Sequence, residues 1–246
     1  LCDWSSDVCS SDLLFEEAHA RDMHVLLDLV PGHTSIEHPW FRESCRAEPN
    51  EFTGRYVWTD DVWTPVGDVP GVNGVLRGIA ERNGAVAVNF FAFQPALNYG
   101  FAHPERPWQM GADSPAAAET RQAMVDVMRF WLSQGCDGFR VDMANSLVKN
   151  DDAGKTATIA AWRQMLGTVK NEYPEAAFVS EWGVPEQALR AGFDMDFYLD
   201  WSWDRNGYYL LCRNTPDPLD RERDHSYFSA HGGGSVRGFL DQYLPQ

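Results

Sequence analysis

The chain has 246 residues, with 20 Lys and Arg against 36 Asp and Glu, a formal charge of −16. That balance excludes nucleic-acid binding through a basic patch, because phosphate contacts require clustered Lys and Arg and the sequence has no such cluster. No apolar run is long enough to cross a bilayer as a helix, while the length suffices for a sizeable core.

Residues 1–12, LCDWSSDVCSSD, repeat an SSD theme without helical periodicity and read as a non-native leader outside the fold. Cys2 and Cys9 have no His neighbours, which makes them a poor metal site. LFEEAHAR at 14–21 reads as a helix end, and MHVLLDLV at 23–30 as a buried strand stopped by Pro31 and Gly32. Residues 34–113 show no sustained helical period. A plain loop of about 80 residues is implausible in a compact domain, so this stretch is expected to be an inserted subdomain.

Regular structure resumes at Ser114-Pro115, a cap followed by a first-turn proline, and Met124, Val127, Met128, Trp131 and Leu132 mark one apolar helix face ended by Gly135. CDGFRVDMA is the next strand. Ile159, Trp162, Met165, Leu166 and Val169 mark a second amphipathic helix, halted at Tyr173-Pro174. AAFVSEW then predicts a strand, PEQALRAG a short helix and DMDFYLDW a strand. A polar loop is expected from Trp203 to Gly234, and a last helix at SVRGFLDQYL. Alternating strands and helices imply a parallel sheet and an α/β class. Cys45, Cys136 and Cys212 are odd in number and scattered, which fits reduced thiols and leans toward a cytoplasmic setting.

Two predicted strands end in carboxylates: GFRVD at Asp142 and AFVSE at Glu181. Adjacent strands lie about 4.8 Å apart, and a double-displacement glycosidase needs two carboxyl groups about 5 to 5.5 Å apart, one to attack carbon and one to protonate the leaving oxygen. Spacing alone leaves open that both are ordinary capping or solvated acids.

Together with HVLLDLVPGHTS at 24–35 and FQPALNYG at 93–100, these blocks make the chain resemble glycoside hydrolase family 13, the α-amylase superfamily, in its oligo-1,6-glucosidase-like branch. The resemblance implies a partial (β/α)8 TIM barrel, about strands 3 to 6, built from 13–33 and 114–246, with 34–113 as the inserted domain B. It makes HVLLDLV the third barrel strand with only 23 residues before it, so the chain is expected to be an internal fragment, inactive alone. By the same resemblance Asp142 is the nucleophile and Glu181 the general acid/base, His33 and Arg140 bind substrate, Arg140 also holding Asp142 ionised, and Asp28 and Asn98 are structural residues near the site. Trp182 supplies either an apolar wall that raises Glu181 or simple core packing. Trp58, Trp63 and Trp108 are core residues or sugar-stacking platforms, with the core reading favoured.

Two positions depart from the family pattern. Gly32 stands where the family has Asn, and Ala96 where the branch has Asp. Both remove oxygen ligands, so no metal or cofactor is expected and calcium is doubted. The family's third carboxylate, on strand seven, is expected beyond residue 246; Asp200 and Asp224 are the stand-ins within the chain. The implied function is retaining hydrolysis or transglycosylation of short α-glucans or α-glucosides, with a small oligosaccharide or glucoside as partner, and no nucleic acid or membrane segment. The rival is a noncatalytic, amylase-like binding or transporter-accessory ectodomain, against which the retained Asp142, Arg140 and Glu181 weigh.

Overall fold

A computed structural model describes residues 8–198, 207–212, 226–230 and 233–245. Its main sheet has four parallel strands in the order β1 (Leu26–Leu29), β4 (Gly138–Val141), β5 (Ala177–Ser180), β6 (Met195–Asp196). The outer edges of β1 and β6 have no partner among the described residues, so the sheet is an open arc of a barrel.

Helices α3 (Pro115–Ser133), α4 (Thr156–Glu172) and α5 (Pro185–Ala191) supply the crossovers. Ser114 caps α3 by accepting from Ala117 N, and the buried stripe is Met124, Val125, Met128 and Leu132, with Val127 and Trp131 half-buried at its margin. All five apolar residues expected on α4 are buried. At its start the Asp151 carboxylate accepts from Ala157 N and Thr158 N, satisfying two of the orphan first-turn donors. Phe139 and Phe178 stack across β4 and β5 toward these helices and join the core.

Between β1 and α3 the chain forms helix α2 (Pro39–Ser44) and an antiparallel pair, β2 (Gly74–Arg77) with β3 (Ala85–Val88). This stretch has its own small cluster around Val57, Val66, Val69, Val72 and Phe101. Phe41, Tyr56, Trp58, Leu97 and Tyr99 join the main core. The segment returns to its origin: Leu97 N donates to Gly32 O and Thr34 N to Pro95 O, and Ala96 bridges His33.

Three expectations change. Helix α1 (Val8–His19) begins inside the stretch read as a leader, anchored by buried Phe15 and Ala18 on its later turns, which lie one turn apart on one face. The stretch from Trp203 to Gly234 holds a short helix, α6 (Gly207–Cys212), which packs on the last helix, α7 (Val236–Tyr243). β6 is Met195–Asp196, and of the predicted strand DMDFYLDW, Asp194, Phe197 and Tyr198 lie outside it while residues 199–201 lie outside the described residues. Among the described residues, no helix is long and apolar enough to cross a membrane, and Cys45, Cys136 and Cys212 are free thiols.

Candidate active site

β1, β4 and β5 end on the same rim, and their ladder continues one step past each strand. Asp142 N donates to Leu29 O at 2.8 Å and Glu181 N to Val141 O at 2.9 Å. Since Val141 lies opposite Ser180, Asp142 and Glu181 follow as register neighbours, and register neighbours in parallel strands project to the same side. Arg140 lies two residues earlier on that side. Its Nη1 donates to Asp142 Oδ1 at 3.0 Å and to Asp28 Oδ1 at 2.6 Å, and its Nη2 to Glu181 Oε2 at 2.5 Å. Asp28 pairs directly with Arg140 in the β1–β4 register. One guanidinium therefore gathers three carboxylates from three strands.

Glu181 is 9% exposed. Burial pushes its carboxyl above the usual carboxylate range. The Met143 N–H, at 3.2 Å, and the Arg140 charge pull it down, and Asp142, within hydrogen-bonding reach, pushes it up again by both bond and charge; the balance is upward. Met143 delivers that N–H from a left-handed backbone, φ 42°, which a non-glycine residue holds only when its surroundings impose it. No residue type around Met143 announces this conformation.

His33 is half-buried at the end of the β1 loop. Burial lowers its pKa, Asp142 raises it and Lys149 lowers it again, for a net fall. With Asp28, Leu27, Trp40 and Trp131 it lines a cavity of about 900 Å³, from whose lining Arg140, Asp142 and Glu181 are absent. Asn98, 2% exposed, donates to Gly54 O and accepts from Gly100 N, so it ties loops of the inserted segment together rather than touching the carboxylates.

Trp182 turns away from Glu181 because consecutive residues face opposite sides. It is buried against Phe193, and its Nε1 donates to Gln187 Oε1 at 3.0 Å. Trp58 is buried with its Nε1 on Ser44 Oγ, Trp108 packs edge-on against Phe101, and Trp63 is 81% exposed. Asp200 and Asp224 lie outside the described residues.

Three neighbours of the site went unread in the sequence. Asp196 Oδ1 accepts from Ser180 Oγ at 2.7 Å and Trp182 N at 3.0 Å, bracketing Glu181 from β6. Asn89 and Lys149 form the floor beneath His33.

For a cation, the space a side chain at position 32 would take is filled by the Asn89 amide, and the Lys149 ammonium sits 3.1 Å from Asn89 Oδ1. Ala96, fully buried, offers no ligand oxygen from its side chain. A buried ammonium and a methyl group do not fit a calcium site, which needs six to eight oxygens. Among the described residues, the His and Asp ligand atoms that come together are those of His19, His24 and Asp137, within 4.8 Å at the opposite end of the strands. Both Asp137 oxygens already face donors, from the two imidazoles and Val25 N, and these bonds account for the cluster without an ion.

The sequence profile of the alpha-amylase catalytic domain matches residues 8–80 and 112–194. A trehalose synthase/amylase of Mycobacterium tuberculosis is 32% identical over 68% of this chain, and an oligo-1,6-glucosidase of Heyndrickxia coagulans 34% identical over 56%. The chain spans only 26% and 23% of those two proteins. Among solved structures, trehalose-6-phosphate hydrolase of Bacillus licheniformis superposes with a TM-score of 0.59 at 24% identity, covering 84% of this chain and 37% of that one. An alpha-glucosyl transfer enzyme gives 0.61 at 24% identity, covering 84% and 42%.

Proposed function

Because the chain belongs to the alpha-amylase catalytic-domain family, we propose that it carries the nucleophile and the acid/base of a retaining α-glucoside hydrolase or transglycosylase. The observation that supports this most directly is the side-by-side register of Asp142 and Glu181 on one guanidinium, at the close strand spacing that double displacement requires.

The Asp142 carboxylate attacks the anomeric carbon as the bond to the leaving oxygen breaks, and Glu181 gives that oxygen its proton. Glu181, now a carboxylate, then takes a proton from water or an acceptor hydroxyl, whose oxygen displaces Asp142 from the sugar. The raised Glu181 pKa suits the first half of this cycle, in which the group must hold the proton it gives to the leaving oxygen. Arg140 offsets the charge of both carboxylates and fixes their orientation, and Asp28 fixes Arg140 in turn.

The relatives' names point to short α-linked glucosides as substrates, trehalose and α-1,6-linked oligosaccharides among them. The reaction proceeds without calcium, in keeping with the residues around position 32. The free thiols accord with a reducing, cytoplasmic setting.

The test is to inactivate the protein carrying this chain with an activated fluoroglucoside, which accumulates the glycosyl-enzyme, and map the labelled peptide. The label is expected on Asp142. Labelling at any other carboxylate would overturn the assignment.

A further inference from the structure

Gly32 leaves a gap at the end of β1, and the inserted segment fills it. A Cβ at position 32 would stand 2.5 Å from Asn89 Nδ2, so the Asn89 amide occupies the place of a missing side chain. Both ends of that amide are engaged. Its Oδ1 accepts from Lys149 Nζ at 3.1 Å, and its Nδ2 lies 3.4 Å from His33 Nδ1. Lys149 is 6% exposed and also donates to Ser146 O at 3.2 Å, which pins the ammonium from the loop after β4.

These contacts have one consistent proton arrangement. An ammonium only donates, so the amide oxygen must face Lys149; the flipped amide would set two donors against each other. The amide N–H then points at His33 Nδ1, which must carry a lone pair, and the ring proton sits on Nε2. Nε2 has no partner among the described residues, and Asp142 is near enough to act on the ring.

We propose that Lys149 and Asn89 are positioning residues that lock His33 in the Nε2–H tautomer and present it as a neutral hydrogen-bond donor to a hydroxyl oxygen of the bound sugar. The sugar-binding half rests on the glycosidase reading above; the tautomer does not. The charged groups facing the ring are Asp142 and Lys149. Burial and Lys149 outweigh Asp142, which favours the uncharged ring.

The decisive readout is the His33 tautomer, observed by long-range proton–nitrogen NMR on the protein carrying this chain with nitrogen-labelled histidine, the resonance being assigned by its loss in His33→Gln. The Nε2–H form is expected. In Asn89→Asp, whose carboxylate keeps Lys149 paired and sets an acceptor against Nδ1, the ring is expected to switch to Nδ1–H. On the substrate side KM should rise roughly tenfold, the size of one lost hydrogen bond, with kcat little changed. A structural role alone would lower the folded fraction without moving the tautomer. Should Asn89→Asp not fold, Lys149→Gln carries the same test: a side chain that can donate or accept frees the amide to flip, and a mixture of tautomers is expected. An Nδ1–H ring in the unmodified protein, or a ring unchanged in the variant, overturns the relay. A protein that turns over no glucoside and still shows the switch upholds the tautomer lock and counts against the glycosidase reading alone.

Discussion

Replacing Gly138 by Ala tests the claim that strand spacing sets the catalytic pair. Gly138 opens β4 with φ +150°, and a Cβ there would stand 1.9 Å from Ala177 O, its register partner on β5. The obstacle is backbone, so no side-chain rotation relieves it, and β4 must move away from β5 by roughly 1.5 Å to reach ordinary contact in a close-packed interior. A backbone region unsuited to L residues costs about 1 to 3 kcal/mol and overpacking about 1 to 3 kcal/mol more, so a loss of about 4 kcal/mol is expected. For a domain of this size that corresponds to a fall of roughly 10 °C in Tm. Asp142 is four residues downstream on the displaced strand, and a misplacement of about 1 Å can lower turnover about 100-fold. Calorimetry and kcat/KM measured on the same samples check both halves. A Tm within about 2 °C of the unmodified protein, with normal turnover, would refute the argument that Gly138 sets this spacing.

Glu181→Gln should abolish turnover of natural glucosides while sparing aryl glucosides with good leaving groups, and should remove the alkaline limb of the kcat/KM profile, which the raised Glu181 pKa places above the ordinary carboxylate range; equal slowing of both substrate types would contradict its role as the acid. Lys149 is pushed down to about 8 from 10.5 by burial. The unfolded chain therefore binds the extra proton between those values, and stability should rise with pH by up to about 1.4 kcal/mol per unit just above pH 8, a slope missing in Lys149→Met. Cys136, raised to about 11 from 9.0, and Cys45, also raised by burial, oppose this trend as pH approaches 9, so the difference between the unmodified protein and Lys149→Met in denaturant titrations at pH 8 and 9 isolates the lysine. Calcium at millimolar concentration should leave Tm unchanged, and a large rise reversed by chelator would contradict the reading of position 32.

The parallel strands and both carboxylates were legible because each carboxylate closes a short apolar run, a pattern that survives without any knowledge of neighbours. The helix stripes were legible for the same reason, since their period is local. Asn89 and Lys149 were not: they stand 60 residues apart, and only the return of the inserted segment brings them together. Met143 could not be read because nothing in its side chain announces a left-handed backbone. Trp182 misled as a possible wall for Glu181 because adjacency in sequence is the one relation that strand alternation turns into opposite faces.

The inserted segment leaves the rim after His33 and is fastened back to it by residues 95–97, so its first residue and residue 95 meet within a few ångströms. Closing a loop between fixed ends becomes harder only with the logarithm of its length. Length can therefore vary in the exposed turns between Ser35 and Val88 without disturbing the clasp, provided Phe41, Tyr56 and Trp58 keep their places in the main core and Asn89 its place just inside the clasp. Turn length is the variable quantity in this part of the molecule, and the Asn89 amide is a fixed one.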